Sequence, residues 1–233
     1  MQYINPYIEL CVEGSSSIFK GLNQKDKEAL IHQHSYAIIK KNQYLFQEGE
    51  KPKGLLCLAS GKVKVFKEGV GGRAQILKMV RPHEFIGYKA LFSDNPWPFS
   101  AIAIEDTAVV IFDKNSFGKI LKKKPDLSIK LMKVIIEELG YANTRTVSLT
   151  QKHIRGRLAE SLLILRDTYG YEADGRTIKV SLSREDIAHL SNMTTSNAIR
   201  TLSNLASEGI IEISGRKISI IESNHLEYIN EMG

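Results

Sequence analysis

The stretch SREDIAHLSNMTTSNAIRTLSNLASEGIIEISGRKISII, residues 183–221, decides the fold of the C-terminal part of the chain. Ser183 stands three residues before Asp186, a capping-box arrangement that predicts the start of a helix. A second helix is predicted to begin after Thr194, which can cap it, and to stop at Gly209. The stretch therefore predicts two short helices separated by a break.

The end of the same stretch, IIEISGRKISII, predicts two short strands around Ser214 and Gly215. In the second helix, three–four spacing of apolar residues gives an inward face formed by Ala198, Leu202 and Leu205, and Ile199 is also assigned to packing. Two helices followed by a hairpin are the pattern of a winged helix-turn-helix. In such a unit the second helix enters the major groove of DNA.

A long helix is predicted over residues 126–149, which contain no proline. Its residues at three–four spacing form a narrow seam suited to a partner helix. The seam consists of Met132, Ile135, Leu139, Ala142, Thr146 and Leu149. We interpret it as a homodimer interface; the alternative is that the stripe packs against the N-terminal domain of its own chain.

Residues 44–112 have the pattern of a β-domain. Short runs rich in Val, Ile, Leu and Phe are separated by glycines, and Val63 and Val65 alternate with lysines, as in a strand with one solvated face. Many short strands at this spacing suggest a barrel or a sandwich. Outside this region, shorter helices are predicted at residues 24–35, 116–121 and 157–166, and a turn-rich hairpin at residues 167–183.

Composition restricts the class of protein. The chain of 233 residues is long enough for two domains, and no run of eighteen apolar residues or secretory signal is found, so we expect a cytoplasmic protein without a membrane span. The net charge is +6, but residues 151–233 hold ten Lys and Arg against eleven Asp and Glu. A DNA-binding domain there needs its few cations on one face.

The ordered motifs resemble the Crp/Fnr family of bacterial transcription regulators over almost the whole chain. LFQEGE, GKVKVF and HEFIGYKALF are similar to the glycine-punctuated jelly roll of that family. KPDLSIKLMKVIIEELGYANTRTVSLTQKHIRGRLAESLLIL is similar to its dimer helix, its hinge and the first helix of its DNA-binding domain. The resemblance implies an α+β fold: a jelly-roll β-barrel like cyclic-nucleotide-binding domains at residues 1–124, a dimerisation helix and hinge at 125–152, and a winged helix-turn-helix at 153–233. It also implies a palindromic operator, a homodimer and action together with RNA polymerase.

The resemblance places the DNA-binding residues on the second helix, at the caps of both helices, and on the hairpin. These are Ser183, Thr194, Thr195, Ser196, Asn197, Arg200, Arg216 and Lys217. Asn can bond to adenine and Arg to guanine or phosphate, whereas Arg216 and Lys217 suit phosphate. Plain helix capping and solvated surface charge are the alternatives for several of them. Ser196 stands where the family usually has a glutamate, so the docking geometry is carried over but the base preference is not.

The same resemblance outlines an effector pocket at Gly87, Tyr88, Phe99, Ser100, Ala142 and Asn143. Members that bind cyclic nucleotides have a glutamate where this chain has Tyr88 and an arginine where it has Phe99. Because a buried phosphate requires a paired cation or several amide donors, cAMP bound in the usual way is not expected. An apolar pocket that Tyr88, Trp97 and Phe99 simply fill is the alternative.

The effector itself stays open. Cys11 and Cys57 are too few for a four-thiolate iron–sulfur cluster, so no such cluster is expected. Haem, or a redox or nitrosative signal, remains an alternative, with His32, His34 and His83 in the sensor half, although no set of metal ligands is predicted. The chain lacks GxSxG, P-loop, HExxH and CxxC spacings, so an enzyme is not predicted.

Overall fold

The computed structural model describes residues 6–14, 17–20, 22–32, 34–93 and 95–233. Its contacts divide the chain into two compact units. The first comprises Met1–Lys67 and Lys78–Gly140, and the second Glu68–Leu77 and Tyr141–Gly233. The division falls inside the long helix, and the predicted boundaries at residues 124 and 152 remain predictions.

The N-terminal strands form two antiparallel sheets of four strands each. The strands are β1 (His34–Ile39), β2 (Tyr44–Phe46), β3 (Gly54–Ser60), β4 (Val63–Glu68), β5 (Ala74–Val80), β6 (Phe85–Ile86), β7 (Ser100–Ala103) and β8 (Thr107–Asp113). One sheet has the order β1-β8-β3-β6 and the other β2-β7-β4-β5. Strands distant in sequence are thus neighbours in each sheet, as in a jelly roll, and the predicted fold class is confirmed.

Helices flank these sheets in the sequence. They are α1 (Pro6–Glu13), α2 (Gln24–His32), α3 (Lys89–Phe92), α4 (Lys114–Lys123) and α5 (Pro125–Gln151), and a 3-10 turn occupies Val70–Gly72. The long helix is present, slightly longer than predicted. The predicted helix at residues 24–35 runs too far, because the chain pairs as strand β1 from His34 onward.

Buried side chains fill two clusters in the first unit. Phe19 forms the centre of one, with ring centroids 5.0 to 5.6 Å from those of Phe85, Phe112 and Phe117. Cys57 is fully buried in this cluster, as the sequence predicts for an apolar strand. The other cluster lies around Trp97, whose side chain is almost completely enclosed.

The second unit contains the predicted helix-turn-helix and wing. Its elements are α6 (Ile154–Tyr169), α7 (Arg184–Leu190), α8 (Thr195–Ser207), β9 (Ile211–Ser214), β10 (Lys217–Ile220) and α9 (Ser223–Met232). The region predicted as a hairpin before α7 contains isolated bridges, Tyr171 to Ile178 and Thr177 to Ser219, instead of paired strands. Helix α9 was not predicted. Within the described part of the chain, no helix has the length and apolarity needed to cross a membrane.

Candidate DNA-binding surface and effector pocket

Helix α8 has one buried face and one exposed face. Ala198, Leu202 and Leu205 are buried, as the spacing predicts. The first turn is held by its cap, because Thr194 Oγ1 accepts a hydrogen bond from the backbone N–H of Asn197 at 3.2 Å. Capping secures the end of the helix that recognition helices present to base edges.

The exposed face of α8 carries four of the predicted DNA-binding residues. Thr194, Thr195, Ser196 and Arg200 are exposed to solvent. Asn197 is half-buried, and its Oδ1 accepts a hydrogen bond from Nη2 of Arg200 at 2.7 Å. Arginine has five donors, so the other guanidinium N–H groups stay available while Asn197 restricts the side chain. Asn197 is therefore placed to orient Arg200, and its own contact with a base stays a prediction.

Ile199 departs from the sequence prediction. Three–four spacing assigned it to packing, but the side chain is 47% exposed on the same side of α8 as Ser196 and Arg200. The buried face of α8 consists of Ala198, Thr201, Leu202 and Leu205, and Ile199 lies at the edge of that face, on the side that turns toward solvent.

Ser183 has a structural role in the second unit. Its Oγ accepts the backbone N–H of Asp186 at 2.9 Å and lies 2.8 Å from Oδ2 of the same residue, so it forms the N-cap of α7. This bonding is the alternative that the sequence left open for such residues. Contact with DNA remains a prediction for Ser183.

The wing presents two cations and is braced by a third. Arg216 and Lys217 are exposed at the turn between β9 and β10. Arg184, in the first turn of α7, donates from Nη2 to the carbonyl oxygen of Gly215 at 2.7 Å. The wing turn is thus attached to the helix-turn-helix by a side chain that the sequence analysis missed. No local pattern could reveal it, because the two residues are 31 positions apart.

Arg145 connects the C-terminal end of α5 to two further helices of the second unit. Its Nη1 lies 2.8 Å from Oε2 of Glu160 in α6, and its Nη2 donates to the carbonyl oxygen of Leu190 in α7 at 2.8 Å. Both charged side chains are nearly buried. Removing one partner of such a pair leaves an uncompensated charge, so the contact is expensive to break. It fixes the end of α5 to the two helices that precede α8 in the chain.

The exposed stripe of α5 differs from the predicted seam. Met132, Leu139, Ala142 and Thr146 are exposed, whereas Ile135 and Leu149 are half-buried within their own chain. Ile135 packs against the first core cluster. The exposed apolar residues of the N-terminal half are Ile129, Met132, Ile136 and Leu139, which repeat at three–four spacing. Ile135 thus packs within its own chain, as the alternative for this helix has it, and a homodimer interface along the exposed residues stays a prediction.

The interior of the β-domain is occupied by aromatic side chains where the sequence outlines a pocket. Trp97 is 3% exposed and stacks on Phe46, with ring centroids 4.2 Å apart. Phe99 lies 6.1 Å from Trp97 and 6.0 Å from Phe46. A Cβ on Gly87 would lie 2.1 Å from the Trp97 ring, so the glycine is required for the indole to fit. Gly87 and Phe99 thus both lie beside the indole ring of Trp97.

The other predicted pocket residues are not joined to this cluster by the described contacts. Tyr88 is buried in the neighbouring core cluster; burial raises the pKa of its phenol well above the usual value, and the charges of Glu138 and Glu84 add to the shift. Ser100 is half-buried at the start of β7, and its Oγ accepts the backbone N–H of Glu48 at 2.9 Å. Ala142 and Asn143 are exposed residues of the second unit, and their part in a pocket remains a prediction.

The histidines of the sensor half are separately placed. His32 ends α2, Nδ1 of His34 contacts the carbonyl oxygen of Ile31, and His83 lies in the turn between β5 and β6. Among the described residues, no group of three His, Cys, Asp or Glu side chains is arranged to hold a metal ion. Haem and redox sensing remain untested predictions.

A capped helix-turn-helix with a braced wing, preceded in the chain by a jelly-roll domain and a long helix, defines a regulator with a sensor domain. Residues 38–124 match the cyclic nucleotide-binding domain family, and residues 156–229 match the Crp-like helix-turn-helix domain family. The chain belongs to the Crp/Fnr family of transcriptional regulators, as the resemblance of its motifs predicted.

Individual relatives cover most of the chain. It is 27% identical over 213 residues to the CRP-like cAMP-activated global transcriptional regulator of Mycobacterium tuberculosis, with 91% of this chain and 95% of that protein covered. It is 28% identical over 177 residues to the anaerobic regulatory protein of Bacillus subtilis, with 75% of this chain and 74% of that protein covered. The structure of FixK2 from Bradyrhizobium japonicum superposes with a TM-score of 0.76 at 25% identity, covering 84% of this chain and 97% of that one.

Proposed function

We propose that this protein is a homodimeric, sequence-specific DNA-binding transcription regulator that recognises a palindromic operator through α8 and responds to a signal other than cAMP. The observation that carries the proposal is the exposed face of α8, where Arg200 stands with short polar side chains on a helix capped by Thr194. Side chains of this length allow a helix to approach base edges closely, and Arg200 supplies a donor pair for guanine.

The exposed stripe of α5 supports the homodimer. Ile129, Met132, Ile136 and Leu139 are between 47% and 67% exposed in the single chain. A second copy of α5 would cover this stripe along a two-fold axis, as in a parallel coiled coil. A two-fold dimer in turn matches an operator whose half-sites are about 34 Å apart.

The aromatic interior of the β-domain supports an effector other than cAMP. The relative from Mycobacterium tuberculosis is described as cAMP-activated. In this chain Phe99 stands at the position that the family resemblance gives to the phosphate-binding arginine, and it packs near Trp97 and Phe46. An apolar ring cannot compensate the charge of a buried phosphate.

The enclosed Trp97 also favours a second candidate. In that case the barrel takes no ligand, and the amount of protein in the cell controls its activity. In both cases the protein acts in the cytoplasm, where the operator lies, and together with RNA polymerase. A thermal-shift screen against small molecules separates the two, because ligand binding to the native state raises the melting temperature.

Paired substitutions on α8 and the wing test the DNA-binding proposal. Arg200→Ala should weaken binding to the cognate site by about 1–3 kcal/mol and relax the preference at one base pair, because a bidentate base contact is lost. Lys217→Ala should weaken binding to cognate and random DNA alike and reduce the salt dependence by about one ion for each protomer bound. Gel shifts on a selected palindrome at two salt concentrations measure both effects.

The contrast between the two variants serves as the control for folding, because a misfolded domain would lose both kinds of binding together. If Arg200→Ala retained both full affinity and base preference, α8 would not be the helix that reads the operator.

A further inference from the structure

Ile199 interrupts the polar, DNA-facing side of α8 with an exposed branched apolar group. The residues around it on the helix surface, Ser196, Arg200 and Ser203, are polar and exposed. Single exposed apolar residues are common on protein surfaces, so exposure by itself has no functional meaning. The position matters, because the rest of this face is short or polar and free to approach DNA.

The major groove offers one main apolar partner for such a side chain. Base edges present nitrogen and oxygen donors and acceptors, whereas the C5-methyl group of thymine is apolar. Isoleucine has a stiff χ1 because it branches at Cβ, so its methyl groups stay in place with little entropic cost. An isoleucine facing a polar edge instead would leave that edge dehydrated without a hydrogen bond.

Arg200 follows Ile199 in the helix and is held by Asn197 Oδ1 at 2.7 Å. A guanidinium restrained in this way has a defined direction beside the isoleucine. The exposed face of α8 therefore combines an apolar contact with an oriented hydrogen-bond donor.

We propose that Ile199 determines part of the operator sequence by contacting the C5-methyl group of a thymine in each half-site. The inference rests on the proposed function, since it requires α8 to enter the major groove. It goes further by naming the chemical group that is recognised and the side chain that recognises it.

The test removes the C5-methyl group of thymine and the side chain of Ile199, first separately and then together. The full-length protein selects its site from random double-stranded DNA, and each thymine of the selected site is then replaced by deoxyuridine, which lacks only the methyl group. One replacement in a single half-site should weaken binding about fourfold, the effect of losing roughly one buried methyl group, and one replacement in each half-site should weaken it about sixteenfold. Ile199→Ala should weaken binding to thymine DNA by a similar or larger factor, and should respond to that replacement no further.

Ile221→Ala is the matched control, because Ile221 is 41% exposed in the same unit but lies outside α8. It should bind thymine and deoxyuridine sites with the same preference as the unchanged protein. Ile199→Ala replaces an exposed side chain with a better helix former, so circular dichroism should show an intact fold.

Three outcomes would overturn the proposal. Ile199→Ala could keep full affinity, or it could still lose affinity when the thymines become deoxyuridines; in either case the contact is not with thymine, although Arg200→Ala would still show that α8 reads DNA. If the unchanged protein selects no sequence and Arg200→Ala has no effect, the proposed function fails, and this inference fails with it.

Discussion

At the scale of single residues, Gly87 is required both by its backbone conformation and by its contact with Trp97. Gly87 has a φ of +89° and faces the indole ring directly. Gly49 has almost the same φ, +88°, with nothing within 4 Å of a Cβ built on it. The two positions share the backbone requirement and differ only in the space around the missing side chain.

Gly87→Ala should therefore destabilise the β-domain more than Gly49→Ala does. Both changes place Cβ at a positive φ, which costs about 1–2 kcal/mol. Gly87→Ala also forces a methyl group into Trp97, and overpacking of this kind adds about 1–3 kcal/mol. Urea unfolding measures the difference, and the chain has one tryptophan, Trp97 itself, whose fluorescence reports the transition.

The Gly49 variant controls for backbone strain in that comparison. Equal losses of stability in both variants would mean that Trp97 does not occupy the space beside Gly87 in solution. The interior of the barrel would then be open to a ligand.

At the scale of elements, capping was predictable and the phase of the long helix was not. The caps at Ser183 and Thr194 join residues three positions apart, so the local sequence contains both partners. On α5, Ile135 and Ile136 are identical side chains one residue apart. Three–four spacing cannot show which of the two faces the barrel, because that depends on residues distant in sequence.

Ile136→Glu should convert the proposed homodimer to a monomer without unfolding the chain. Ile136 is 67% exposed, so a charge there costs the single chain little, but between two copies of α5 it would be buried without a partner. Light scattering at micromolar concentration should change from about twice 26.2 kDa to 26.2 kDa.

Ile135→Ala is the comparison on the same helix. It should lower the free energy of unfolding by about 2–4 kcal/mol, because Ile135 packs against the core, while the dimer remains. If the Ile136→Glu variant were still a dimer, the dimer interface would not be formed by the exposed face of α5.

At the scale of the whole molecule, the sequence predicted the order of the β-domain, the long helix and the helix-turn-helix. It did not predict which side chains fill the interior of the β-domain. Glycine spacing and strand periodicity predicted a barrel or a sandwich, and the family resemblance implied the jelly roll. The helix-turn-helix followed from caps and apolar spacing. The stacking of Trp97 on Phe46 joins residues 51 positions apart, and the sequence left open whether the aromatic residues line a pocket or fill it. The exposure of Ile199 could not be predicted either, because it depends on which face of α8, here the face with Ala198 and Leu202, packs against the rest of the domain.

The aromatic interior of the β-domain is poorly suited to cAMP. Cyclic AMP should neither bind with a micromolar dissociation constant nor change operator affinity when added up to millimolar concentration. The reason is the pocket: Phe99 and Trp97 offer no cation to a cyclic phosphate, and Tyr88 is buried in the neighbouring core cluster. Calorimetry on the full-length protein and gel shifts with and without cAMP measure the two effects, with the cAMP-activated relative from Mycobacterium tuberculosis as the positive control. A micromolar dissociation constant would mean that another cation compensates the phosphate, and that the aromatic cluster rearranges to admit the nucleotide.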